Sequence, residues 1–102
     1  MRATTAADWV QKAATDYGAR PQKQRDEAVR SAVFGAAALM FAASAYGLAT
    51  GPMGGFDPER VARDFELSPD EIPVLLLTVG VAAPGNWPQK PRRSLDEILE
   101  LV

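Results

Sequence analysis

Two runs hold the residues of this sequence best suited to chemistry: Gly51-Pro52-Met53-Gly54-Gly55-Phe56-Asp57-Pro58 and Asn86-Trp87-Pro88-Gln89-Lys90-Pro91-Arg92-Arg93. In the first, the glycines remove the side chains that would keep a backbone at a distance, so main-chain amides could lie against the edge of a flat ligand. The same residues would also suit a connector between two helices, with glycines supplying positive φ. In the second, Lys90, Arg92 and Arg93 place three cations within four residues, just ahead of a helix start. Cations there oppose the helix dipole unless an anion lies between them and the helix end. A phosphate would resolve the conflict, with lysine as a point charge and arginine as a two-pronged donor. The alternative is a solvated basic turn. Trp87, in the same loop, serves either as a packing anchor or as a stacking platform.

Composition removes many other chemistries. The chain has 102 residues, no histidine and no cysteine. Serine–histidine and cysteine–histidine catalysis, disulfides and cysteine or histidine metal sites are therefore excluded within it. Ser31 and Ser44 have no base beside them, and the acids from Asp57 to Glu71 form no catalytic pair. Catalysis would need an imported cofactor or a second chain. The net charge of −2 argues against a general nucleic-acid binder. No apolar stretch of secretory type lies between Thr4 and Gln11, so a cytoplasmic protein is expected. Residues 32–49 carry no charge, a length that approaches a membrane span. Their alanines and glycines supply little transfer energy, however, and a buried core helix with no membrane is the expectation.

The elements that must position these runs read as follows. An amphipathic helix spans 5–17, with Trp9, Val10, Ala13, Ala14 and Tyr17 on one side and Gly18 as its stop. Residues 19–25 form a connector, and a long helix follows from about Gln24 to Tyr46, closed by Gly47. Asp57-Pro58-Glu59 is an N-cap, a first-turn proline and an early acid, opening a short helix that ends near Leu67. Pro73 to Gly80 is the one clear strand, apolar on both faces as in a covered sheet. Ser94-Leu95-Asp96-Glu97 has the form of a capping box opening a last helix. A lone two-faced strand leaves its backbone groups unpaired, so its neighbours are expected from outside this chain.

Taken in order, these pieces resemble the C-terminal half of the FMN-dependent nitroreductase family. The resemblance runs through Arg25-Asp26-Glu27-Ala28, Leu39-Met40-Phe41-Ala42-Ala43 and Tyr46-Gly47-Leu48-Ala49-Thr50. It continues through the Gly51–Pro58 run, Pro73-Val74-Leu75-Leu76-Leu77-Thr78-Val79-Gly80 and Gly85-Asn86-Trp87-Pro88-Gln89-Lys90-Pro91-Arg92. It implies an α+β half-fold, mainly helical with one buried strand, in a single partial domain over 1–102. Within that domain, 1–23 are an N-terminal helix and connector, and 24–102 are the core matching the family.

The resemblance also implies roles. Pro52, Met53, Gly54 and Gly55 would lie beside the isoalloxazine ring of FMN, with the two glycines near its reactive N5 edge. Lys90 and Arg92 would hold the FMN phosphate. The long helix would form much of a dimer interface. Catalysis would be ping-pong: NAD(P)H reduces the flavin, and a small electron-poor acceptor reoxidises it. The flavin would carry the chemistry, so no protein acid or base is required.

Three departures qualify this picture. The arginine- and serine-rich segment of the family's N-terminal half is not matched by Met1-Arg2-Ala3-Thr4-Thr5. Several strands are missing, and Gly54 replaces an acidic or larger residue found in many members. The expected partner is thus a complementing nitroreductase-like chain or a homodimer mate. The alternative function is a non-catalytic assembly subunit of a hetero-oligomeric flavin oxidase, such as a cyclic-dipeptide oxidase. A third is a truncated, inactive product.

Overall fold

Thr5 and Asp8 set the first helix. The computed structural model describes residues 5–102, so Met1 to Thr4 lie outside the described residues. Helix α1 spans Ala6–Tyr17. The Asp8 amide donates to the Thr5 hydroxyl at 3.2 Å, and the Thr5 amide donates back to the Asp8 carboxylate at 2.9 Å. This reciprocal cap satisfies two orphan donors. The Thr5 backbone bond, followed by the bond from its hydroxyl, holds the Asp8 carboxyl below its ordinary range. Gly18 caps the helix as expected, with right-handed φ of −54° and not the left-handed φ common for glycine there. Its constraint is steric instead: a Cβ there would stand 2.4 Å from the Ala14 carbonyl oxygen.

Helix α2 spans Pro21–Ala45 and begins three residues before the expected Gln24. Proline at the first helical position supplies a helical φ and lacks an amide that would be unpaired there anyway. The expected connector over 19–25 shrinks accordingly. Gln24 Nε2 donates to the Tyr17 carbonyl at 2.6 Å, and Lys23 Nζ sits 4.6 Å from the Tyr17 ring centre, tying α2 to the end of α1. At its far end Gly47 takes φ of +73°. The Gly47 amide donates to Ser44 and the Leu48 amide to Ala43, each at 3.0 Å, which closes the last turn. Gly47→Ala should destabilise the folded protein by about 1 kcal/mol, measurable as a lowered thermal midpoint of the assembled protein.

The chain turns directly from Gly47 into strand β1, Ala49–Met53, which pairs antiparallel with β2, Leu76–Gly80. The residue types predict a loop at 51–57 and one strand; the first half of that loop is a strand. The register pairs Gly51 with Thr78 and Pro52 with Leu77. Pro52 has no N–H, so regular alternation makes Gly51–Thr78 and its next-but-one neighbours the hydrogen-bonded pairs. The backbone groups of Leu77 and Val79 then point away from β1. Among the described residues the sheet has two strands, so β2 keeps one unpaired edge.

Helix α3, Pro58–Asp64, is capped by Asp57, whose carboxylate accepts from the Glu59 amide at 3.0 Å and the Arg60 amide at 3.2 Å. It ends on Glu66 at φ of 54°. Helix α4 is a single turn, Leu95–Ile98, and the Ser94 side chain makes no capping bond, contrary to the expected capping box.

Burial departs furthest from expectation. Among the described residues only Ala43 is buried. Phe34 and Phe41 on α2 are 72% and 80% exposed, and β2 is half-buried to exposed along its length. The described residues cover neither the expected core helix nor the expected covered strand. By length and composition alone α2 could also cross a membrane. The Cα radius of gyration is 18.9 Å, against about 13 Å for a compact domain of this size.

Candidate functional site

Residues 52–55 occupy the exit of β1. Pro52 and Met53 are its last two residues, Gly54 and Gly55 follow at once, and Asp57 caps α3 two residues later. The segment is held at both ends, by the ladder to β2 and by the Asp57 cap. A Cβ at Gly54 or Gly55 would meet no heavy atom within 4 Å, and the positive-φ glycines among the described residues are Gly47 and Gly85. Positive φ therefore does not account for glycine at 54 and 55, which removes that basis for the connector alternative.

Gly51 differs. Thr78 Oγ1 donates to the Gly51 carbonyl at 3.3 Å, and a Cβ on Gly51 would lie 2.7 Å from that hydroxyl. This contact escaped the sequence analysis, because nothing marks Thr78 until the strand register is known.

Lys90 and Arg92 lie in the irregular stretch between β2 and α4, both exposed. Neither forms an ion pair among the described residues. By contrast Arg30 pairs with Glu27, and Arg60 and Arg63 with Asp64. The basic pair is thus free to meet an external anion.

The antiparallel register separates the two runs. Met53 pairs with Leu76, so the glycine loop leaves one end of the sheet; Gly80 pairs with Ala49, so the basic stretch leaves the other. A five-residue strand separates those ends by about 14 Å. A shallow recess of about 370 Å³ joins Ala49, Gly51 and Thr78 to Asn86, the first residue of the basic run. Gly54, Gly55, Lys90 and Arg92 do not line that recess.

This architecture has relatives. The model of the nitroreductase family matches residues 1–81, taking in α1, α2, both strands and α3 and stopping short of Lys90 and Arg92. Its extent differs from the 24–102 core traced by resemblance. A Streptomyces coelicolor protein named as an NADH dehydrogenase/NAD(P)H nitroreductase is 33% identical over 87 residues, 84% of this chain and 43% of that protein. Protein DrgA of Synechocystis is 47% identical over 76 residues, 72% of this chain and 36% of its own length. The crystal structure of Bacillus subtilis ydfN, described as a nitroreductase, superposes with a TM-score of 0.83 at 34% identity, over 91% of this chain and 46% of its own. The chain belongs to the nitroreductase family. It spans less than half the length of each of these relatives.

Proposed function

We propose that this chain supplies part of an FMN site in an oxidoreductase of nitroreductase type, corresponding to the C-terminal half of the family fold. The observation that carries the reading is the pair Gly54 and Gly55, where no packing contact and no positive φ asks for glycine. Close approach by a flat group from outside the chain does. Pro52 and Met53 deliver that loop, and Lys90 and Arg92, in the irregular stretch that follows the other end of the sheet, would take a phosphate. FMN is itself elongated, ring at one end and phosphate at the other, so it suits two binding elements that leave opposite ends of a strand pair. When bound, the flavin supplies hydride and electron transfer between NAD(P)H and a small organic acceptor. The chain's own work is to present unobstructed backbone to the ring and positive charge to the phosphate.

The exposed length of α2 and the open edge of β2 call for a second body. We assign that role to a complementing nitroreductase-like chain or a homodimer mate, in a cytoplasmic assembly that involves neither membrane nor nucleic acid. The experiment is the visible absorbance of the protein purified with whatever completes it. A flavin spectrum, with FMN released when the complex is taken apart, is expected. A colourless complex that gains no absorbance on adding FMN would end the flavin reading.

A second reading rests on one observation: the family match stops at residue 81, ahead of the basic run. On that reading the chain is a non-catalytic assembly subunit. Its assembly would then be indifferent to Lys90 and Arg92.

A further inference from the structure

Resting on the flavin reading above, we propose that Thr78 is a positioning residue for the ring loop and acts through Gly51. The Thr78–Gly51 bond joins groups 27 positions apart. Every other side-chain hydrogen bond among the described residues spans seven positions or fewer. Among the described residues it is therefore the one side-chain bond that ties the strand carrying the ring loop to a distant part of the chain.

The register shows why it matters for the loop. Gly51 and Thr78 are directly paired, so their Cβ directions share one face of the sheet. The hydroxyl leans across the space that a side chain on Gly51 would fill. Gly51 lies two residues before the end of β1 and three before Gly54. Pro52, between them, has a φ fixed by its ring and sits in a pair that exchanges no backbone hydrogen bonds. The Thr78 hydroxyl adds a side-chain bond to the Gly51 carbonyl just before it, which sets the height at which Gly54 and Gly55 leave the sheet. Asn86, the first residue of the basic run, borders the same recess.

The test uses the assembled protein as it purifies, with FMN titrated into the flavin-stripped complex. Thr78→Val keeps the branched shape and removes the donor. It is expected to weaken FMN about fivefold and to alter the band shape of the bound flavin spectrum. Thr78→Ser restores a hydroxyl and should return both to near the wild-type values. Gly51→Ala, which pushes the hydroxyl aside, should reproduce the spectral change seen with valine. A valine variant with wild-type affinity and spectrum overturns the assignment, and so does a serine variant as impaired as valine. A wild-type complex that binds no FMN overturns the flavin reading and this assignment together, an outcome recognisable before any variant is made.

Discussion

Gly55→Val should weaken FMN binding by at least about tenfold while leaving assembly and helix content unchanged. The cost is that of forcing branched carbons into a closely packed contact, on the order of 1–3 kcal/mol. The folded chain should not resist the change. A Cβ at 55 points into open space, and Gly55 is not among the positive-φ residues. The prediction joins two measurements that usually move together, and expects them to part. Circular dichroism and assembly mass should match the wild type; FMN titration of the stripped complex should not. Retained FMN affinity would remove Gly55 from the ring edge. Lost assembly would mean that another polypeptide, not a cofactor, lies against it.

Lys90→Ala and Arg92→Ala should each weaken FMN by about 10- to 100-fold, the range for a hydrogen bond to a charged group. The wild-type affinity should fall with added salt, and each variant should show a shallower dependence, because exposed charges are screened. Riboflavin, which lacks the phosphate, should bind wild type and variants alike. These residues have no ion-pair partners to lose among the described residues, so the stability of the complex without FMN should stay put. Unchanged FMN affinity in both variants would favour the assembly-subunit reading.

What could be read in the sequence follows the range of each interaction. The Asp57 cap, Pro58 and the Gly47 stop are local devices, complete within a few residues, and each appears in the structure where the residue types put it. Strand β1 was not legible. Its sequence, Ala-Thr-Gly-Pro-Met, contains the two residues that argue hardest against a strand. Pairing with β2 overrides that preference, helped by the hydroxyl of Thr78, and the partner lies 27 positions away. The Ser94 motif failed in the other direction: the pattern is present, but a helix of one turn follows and the side-chain bond does not form. Burial was misplaced for a different reason. The apolar character of α2 and β2 suits covered surfaces, but the described residues leave Phe34 and Phe41 exposed, and this chain matches less than half of ydfN.

The site was legible by halves. Residues 52–55 and 90–92 stand out by type alone. Their departure from opposite ends of the sheet required the register, and so did Thr78.

The two edges of the sheet are unequal, and this bears on how the chain must be made. The outer side of β1 carries Pro52, which blunts it. The free side of β2 has no proline from Leu76 to Gly80 and no charge from Ile72 to Gln89. Such an edge pairs with any extended backbone it meets first. Encounter with another copy grows with the square of the chain's own concentration, while encounter with a complement grows with the complement's. Soluble yield should therefore depend on balanced synthesis, and an excess of this chain alone should be lost to precipitation.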